Sequence, residues 1–267
     1  MSSIYCSIVL YKTPKEEIQS IVDQLQNVRE VKLIHLIDNA NQENKLKLTK
    51  YKKVKYTYTG LNMGYGAAHN LGIQGFFISD CDYFCVLNSD LHFEINVFQN
   101  IIDSYEGVNN IGLCSPSFGI ENRHIVNAKY IPNAVIFFFR ALNVKALCNR
   151  FLYPRMNLQD YLFAPYLSGA FLFCSKKVLK KIGFFDPRYF MYPEDIDISR
   201  RAAKDFKNVV FSDIVVKHQH RADSKRSLKM FIIHLLNMIK YFNKWGWFFD
   251  QDRKIINQKY RYLNNSK

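Results

Sequence analysis

The chain has 267 residues, of which 48% are hydrophobic and 15% aromatic, and it carries a net charge of +14. This composition excludes a largely disordered protein and predicts one large domain, or one domain with an appendage. Six scattered cysteines without paired metal-ligand spacing argue against a structural zinc site, and no charged segment with a long apolar run opens the sequence. We therefore expect reduced thiols and a cytoplasmic location.

The first half of the sequence alternates between strand-like and helix-like segments. Apolar runs predict strands at residues 4–11, 31–37, 54–58 and 83–87, and helical periodicity predicts helices from residue 14 and over residues 64–78. Thr13 is expected to cap the first helix, with Pro14 at its first position. Such alternation is typical of a doubly wound, largely parallel sheet covered by helices, whereas the pattern beyond residue 111 is irregular.

Polar residues follow the second predicted strand. Asp38 and Asn39 lie at its C-terminal end, where a carboxylate can accept a hydrogen bond from a base N–H or a ribose hydroxyl; an Asx turn is the simpler alternative. The segment 62–72 is rich in small residues and leads into a helix, which favours close approach of a phosphate to the helix N-terminus. A tight loop with a close helix contact explains the same residues equally well.

Two separated acidic clusters indicate metal-assisted group transfer. The first is the segment 88–90, which ends in Asp90 after the fourth predicted strand, and the second is the segment 194–197. One cluster would hold a cation while the other takes a proton. The alternative for the second cluster is an ordinary helix start, because acids stabilise the N-terminus of a helix.

Two histidines follow the strand-like run at residues 209–216. These are His218 and His220, of which at least one is predicted to face the crevice at the strand ends. Imidazole is a common metal ligand and can also carry positive charge, so a metal or phosphate role is predicted for His218.

The C-terminal segment is strongly basic, with 12 Lys and Arg against 3 Asp and Glu in residues 217–267. Apolar residues recur there at helical spacing over residues 228–242, while Lys229, Lys240 and Lys244 lie off that stripe. The apolar run is too short to span a bilayer. The pattern therefore predicts a helix that lies on an anionic membrane, with packing against the rest of the chain as the alternative.

Taken in order, these segments resemble the family-2 glycosyltransferases that have the GT-A fold. The segments are Asp38-Asn39, Asn62-x-Gly64 through Asn70, Asn88-Ser89-Asp90, Ser168-Gly169-Ala170 and Glu194-Asp195. Within that family, residues 4–220 look most like the bacterial rhamnosyltransferases that extend O-antigen and related surface polysaccharides. The resemblance implies an α/β fold with a mostly parallel central sheet flanked by helices, and a helical basic C-terminal extension.

The resemblance also implies a domain organisation. Residues 1–220 would form the catalytic domain, with a nucleotide-sugar-binding half at 1–115 and an acceptor-binding half at 116–220. Residues 221–267 would form the basic amphipathic extension.

Roles follow from the resemblance residue by residue. Asp195 would be the catalytic base, while Asp90 and His218 would hold Mg²⁺ or Mn²⁺ at the donor diphosphate. Donor contacts would come from Asp38, Asn39, Asn62, Gly64, Asn70, Asn88 and Ser89. Acceptor contacts would come from Ser168, Gly169, Ala170 and Glu194. The family's Asp-x-Asp is Asn-Ser-Asp here, which leaves one acidic metal ligand.

The activity implied is inverting transfer of a sugar, L-rhamnose from dTDP-rhamnose, to a polyprenyl-diphosphate-linked glycan. The reaction would occur at the anionic inner face of the cell membrane, without a nucleic acid partner. A UDP-hexose donor in the same pathway is one alternative, and a non-catalytic basic protein that binds membrane or nucleic acid is another. A nucleotidyltransferase should have a glycine-rich basic loop after the first strand, where this chain has Tyr-Lys-Thr-Pro at residues 11–14.

Overall fold

The centre of the protein is a mixed β-sheet, seen in a computed structural model that describes residues 2–44, 46, 48–120, 123–125, 128–141, 160–218 and 228–266. The strands are β1 Ile4–Leu10, β2 Val31–Asp38, β3 Val54–Tyr58, β4 Tyr83–Leu87, β5 Leu91–His92, β6 Ile111–Ile120, β7 Arg123–Ile125, β8 Ala128–Lys129, β9 Tyr161–Phe163, β10 Tyr166–Leu167, β11 Phe171–Ser175 and β12 Lys207–His218. The helices are α1 Lys15–Asn27, α2 Tyr65–Phe77, α3 Val97–Gly107, α4 Ala134–Ala141, α5 Lys176–Ile182, α6 Glu194–Asp205, α7 Leu228–Trp245 and α8 Gln251–Asn265.

The main sheet has the strand order β3-β2-β1-β4-β11-β6-β12-β5. The first four strands in this order are parallel, as predicted, so their C-terminal ends meet at one edge. β11 then runs antiparallel between β4 and β6, and β12 pairs parallel with β6 and antiparallel with β5. The sheet is therefore mixed, because β11 lies between β4 and β6 and runs antiparallel to both.

The first helix shows how local sequence and packing combine. Its apolar stripe, which includes Ile18, Val22 and Leu25, is fully buried against the sheet, as its periodicity predicts. The predicted cap at Thr13 is wrong. The helix begins at Lys15 with no side-chain cap, because the Thr13 hydroxyl accepts a hydrogen bond from the Tyr11 N–H instead, at 3.2 Å.

The two C-terminal helices are joined to α6 by a buried cationic side chain. The Arg200 guanidinium is fully buried and makes two hydrogen bonds, of 2.7 and 2.5 Å, with the Asp250 carboxylate that precedes α8. It also lies over the Trp245 ring, 4.1 Å from the ring centroid. Two parallel charge-assisted hydrogen bonds and a cation–π contact are the arrangement that makes a buried guanidinium tolerable.

A second buried charge contributes to the same interface. The Asp197 carboxylate binds the Lys244 ammonium at 2.6 Å, the Trp245 indole N–H at 2.8 Å and the Arg201 guanidinium at 2.9 Å. The membrane role predicted for Lys244 is therefore wrong, since its ammonium also binds Asp186, at 2.8 Å. These contacts neutralise the lysine within the protein.

The other lysines predicted to face a membrane have different outcomes. Lys240 is exposed and its ammonium donates to the uncharged Arg188 carbonyl at 2.9 Å, so its membrane role stays a prediction. The side chain of Lys229 lies outside the described part of the structure, as do His220 and the proposed domain boundary at residue 220. Among the residues described, no helix has both the length and the apolar character needed to cross a bilayer.

The buried pair predicts the size of one stability effect. Asp250→Asn should lower the free energy of unfolding by about 3–5 kcal/mol, because it leaves the Arg200 charge buried without a counter-charge. Asp252→Asn, at the exposed pair with Lys204, is the matched control and should cost about 0–1 kcal/mol. Urea unfolding of the three proteins measures both values. Equal losses in the two variants would contradict a dominant role for the buried pair.

Candidate active site

The predicted site segments meet at the edge where the parallel strands end. β4 ends beside the start of β11, with Leu87 opposite Phe171, and the Asn88 N–H donates to the Ala170 carbonyl at 2.9 Å. The donor-side segment 88–90 and the acceptor-side segment 168–170 are therefore neighbours. Ser168 contributes to the same turn, since its hydroxyl accepts a hydrogen bond from the Ala170 N–H at 3.4 Å.

Asp38 is positioned by its strand and by two local hydrogen bonds. Its side chain is fully buried at the end of β2, where Oδ2 accepts from the Asn44 N–H at 2.8 Å and the Tyr56 hydroxyl at 2.6 Å. Oδ1 is buried and has no hydrogen-bond partner among the described residues. Because buried polar atoms are normally paired, this oxygen is a ready acceptor for a ligand N–H or O–H.

The next three predicted donor contacts, Asn39, Asn62 and Gly64, shape a loop. The Asn39 amide donates to the Asn62 side-chain oxygen at 3.0 Å and accepts from the Met63 N–H at 3.0 Å. Gly64 has a φ of +92°, and a Cβ there would collide with the Phe190 carbonyl. Glycine is therefore required at the start of α2, where the loop touches the segment that leads to Asp195.

Two other predicted donor contacts already have partners within the protein. The Asn70 amide is used at both ends by the backbone of Phe185, with distances of 2.9 Å, so it fastens α2 to the segment before α6. The Ser89 hydroxyl donates to the Glu17 carboxylate on α1 at 2.6 Å. Asn70 and Ser89 therefore make hydrogen bonds within the protein, and their contacts with a donor stay predictions.

The predicted metal pair is brought together by the last strand. β12 pairs with β5, which places His218 opposite Leu91, and the His218 Nε2 lies 3.2 Å from the Asp90 Oδ1. No group of three or more His, Cys, Asp or Glu side chains suited to a metal occurs among the described residues. A carboxylate and an imidazole still fit Mg²⁺ or Mn²⁺ that is shared with a substrate diphosphate, because such ions keep phosphate and water ligands.

Asp195 lies in the first turn of α6, at the acceptor side of the edge. Its Oδ2 accepts from the Gly169 N–H and the Tyr166 hydroxyl, each at 3.2 Å, and its Oδ1 accepts from the Ile196 N–H at 2.8 Å. Burial raises the pKa of Asp195 to about 6, against the lowering effect of these hydrogen bonds and of Lys129. A carboxyl group of this pKa can take a proton near neutral pH.

The neighbouring carboxyl group is more deeply buried. Glu194 is 4% exposed, and its Oε2 has no hydrogen-bond partner among the described residues. Burial, with the nearby Asp195 charge, raises the pKa of Glu194 well above its usual value. The pair therefore favours one ionised and one protonated carboxyl group at neutral pH.

Tyr65 is a site residue that the sequence analysis missed. Its hydroxyl lies 2.9 Å from the Asn88 side-chain oxygen and 2.9 Å from the Gly169 carbonyl, so it joins the donor-side and acceptor-side segments. Burial raises the pKa of Tyr65, as do the carboxyl groups of Glu194 and Asp195. Only its place within the small-residue segment 62–72 could have signalled it.

Comparison of the sequence with known proteins gives one curated relative. No protein-family model matches the chain. The sequence is 23% identical over 233 residues to the low-salt glycan biosynthesis hexosyltransferase Agl10 of Haloferax volcanii, a match that covers 85% of this chain and 71% of the relative.

Comparison of the structure identifies the fold. GalNAc-T7, crystallised with UDP, GalNAc and Mn²⁺, superimposes on 82% of this chain with a TM-score of 0.60 and 13% identity. TarS of S. aureus superimposes on 98% of this chain with a TM-score of 0.59 and 12% identity. The chain spans only 44% and 43% of the lengths of these two proteins. Its mixed sheet flanked by helices matches theirs, so the GT-A fold expected from the sequence is confirmed.

Proposed function

We propose that the protein transfers a sugar from a nucleotide diphosphate donor to a glycan acceptor. The observation that carries this proposal is the Tyr65 hydroxyl, which contacts both Asn88, two residues before Asp90, and Gly169, whose N–H binds Asp195. One half-buried side chain thus links a loop suited to a diphosphate and its cation to a carboxylate suited to proton removal. The similarity to a hexosyltransferase supports the same reaction class.

On the donor side, each proposed role rests on an available polar atom. The Asp38 Oδ1 would accept a hydrogen bond from the nucleoside, since it lacks a partner in the described structure. Asp90 and His218 would hold Mg²⁺ or Mn²⁺, which would neutralise charge on the departing diphosphate. Gly64 would hold the loop at the start of α2 in the shape that receives the donor, because a Cβ there would collide with the Phe190 carbonyl.

On the acceptor side, Asp195 would remove the proton from the attacking hydroxyl. Attack by that hydroxyl on the anomeric carbon forms the new glycosidic bond as the bond to the diphosphate breaks, so one base suffices for a displacement with inversion. The hydrogen bond from the Gly169 N–H would fix the carboxylate while Glu194 keeps its proton. Asp195 therefore acts as the base only above its own pKa.

The finer specificity is proposed from the family resemblance. The donor would be dTDP-L-rhamnose and the acceptor a polyprenyl-diphosphate-linked glycan at the anionic inner face of the cell membrane. A UDP-hexose donor is the second candidate, and the hexosyltransferase relative is compatible with both donors, because rhamnose is itself a deoxyhexose. A non-catalytic basic binding protein would explain the charge of +14, but it would need neither the Asp90–His218 pair nor the half-buried Asp195.

The donor assignment predicts a selective response to sugar nucleotides. dTDP-rhamnose should raise the thermal unfolding temperature in the presence of Mn²⁺ and should be consumed in a transfer whose product has the inverted anomeric configuration by NMR. Turnover of UDP-hexoses with no binding of dTDP-rhamnose would contradict the rhamnose assignment. Retention of configuration would contradict the single-base mechanism.

The metal pair predicts the effect of removing one charge. Asp90→Asn should abolish most turnover and the Mn²⁺-dependent part of donor binding, because the variant keeps the side-chain shape and loses the charge that faces the cation. Asp80→Asn, in an exposed turn after α2, is the control and should bind donor and Mn²⁺ as the wild type does. Isothermal titration with and without a chelator measures the difference. Near-wild-type turnover in Asp90→Asn would refute the role.

The base predicts both a rate loss and a pH profile. Asp195→Asn should lower kcat by about 10²-fold or more with donor affinity nearly unchanged, since only proton removal is lost. In the wild type, kcat should fall as the pH drops below about 6, because Asp195 becomes protonated there. The variant should lack this inflection. An unchanged rate, or the same inflection in Asp195→Asn, would exclude Asp195 as the base.

A further inference from the structure

Two helices, α4 and α7, present apolar side chains to solvent. α4 exposes Val135, Phe138 and Phe139, and α7 exposes Phe231, Ile232 and Leu236, each between 39% and 53%. We call these six residues the α4–α7 face. Single exposed apolar residues are ordinary, but six such residues on two adjacent helices form a patch of the kind that marks an interaction surface.

Beneath the α4–α7 face, aromatic rings of the two helices pack against each other. Phe137 of α4 stacks on His234 of α7, with ring centroids 5.2 Å apart and the planes 5° from parallel. It also contacts Phe242, which is buried in the main core, at 6.1 Å. The two helices are therefore packed together, and the exposed side chains lie at the outside of a fixed contact.

Charge indicates what covers this face. Neither α4 nor α7 contains a carboxylate, and Lys240 of α7 is exposed and keeps its charge, because its ammonium donates to the uncharged Arg188 carbonyl. Within a chain of net charge +14, such a surface repels a second copy and attracts an anionic one. Apolar and aromatic side chains without acidic neighbours suit the interface of an anionic bilayer.

The position of the face connects it to the candidate base. The His234 ring that stacks on Phe137 also packs against the Tyr192 ring, with centroids 4.5 Å apart. Tyr192 lies three residues before Asp195 and has a φ of +90°, a conformation that a bulky residue keeps only where its surroundings fix it. The face is thus one ring layer away from the segment that leads into Asp195.

We propose that the α4–α7 face docks the protein on an anionic bilayer and presents Asp195 to acceptors held at that surface. The docking itself is independent of catalysis, whereas the presentation of acceptors rests on the proposed glycosyl transfer. The head group of a lipid whose chain lies along Phe138 and Phe231 would reach the protein beside Tyr192. This surface replaces Lys244, whose ammonium is bound by Asp186 and Asp197, as the membrane contact.

The test is sedimentation of the whole protein with vesicles of phosphatidylglycerol or phosphatidylcholine at low and high salt. The wild type should bind the anionic vesicles, and the variant with both Phe138→Gln and Phe231→Gln should bind them about tenfold or more weakly. Phe249→Gln is the matched control. It removes a ring that is 93% exposed past the opposite end of α7, a helix of 18 residues and about 27 Å, and should leave binding unchanged.

Three results would overturn the proposal. The first is a wild type that does not bind the anionic vesicles. The second is an equal loss of vesicle binding in the double variant and in Phe249→Gln. The third is a wild type that binds no vesicles and forms a dimer in solution that the double variant does not form. Hydrolysis of sugar nucleotides in vesicle-free buffer separates this proposal from the proposed function. The double variant should hydrolyse donor as the wild type does, while a wild type that binds vesicles but no sugar nucleotide would refute the transferase function alone.

Discussion

The antiparallel pairing of β11 with β4 is the constraint on which the candidate site depends. A sheet of parallel strands alone would place their C-terminal ends, with Asp38 and Asp90, at one edge, but none of its strands would begin at that edge. Because β11 runs the opposite way, its first residues begin at the same edge, and the Asn88 N–H binds the Ala170 carbonyl. The turn before β11 then offers the Gly169 N–H to Asp195. One reversed strand therefore brings the turn at residues 168–170, and with it Asp195, to the edge where β4 ends.

Local sequence was sufficient for most elements of the donor half and for the positions of its acids. β3 and β4 have the bounds that their apolar runs predict, Asp38 is the last residue of β2, and Asp90 follows the end of β4 by three residues. The contacts between segments that are distant in the sequence could not be predicted. Tyr65 reaches Gly169 across 104 positions of sequence, and the register that brings His218 to Asp90 depends on a pairing with a strand of only two residues.

The helix α7 shows why a correctly predicted periodicity did not identify the surroundings of one of its lysines. Lys244 does lie off the apolar stripe of α7, as predicted, but a side chain that lies off the stripe need not face solvent. Lys244 finds Asp186 and Asp197, 58 and 47 residues earlier, and no local pattern marks those acids as its partners. The same long-range competition applies to Asn70, whose amide binds the Phe185 backbone. A polar side chain that could either face solvent or pair within the protein takes the position that satisfies a buried polar group.

The buried Arg200–Asp250 pair also orders events during synthesis of the chain. α6 leaves the ribosome some fifty residues ahead of Asp250, which at typical elongation rates is a delay of roughly 3–10 s. Throughout that interval Arg200 lacks the Asp250 carboxylate, and Asp197 has Arg201 but lacks Lys244 and Trp245, so neither charge can yet be buried with its full set of partners. The contact of α6 with the C-terminal helices can therefore form only after residues 244–250 have been made.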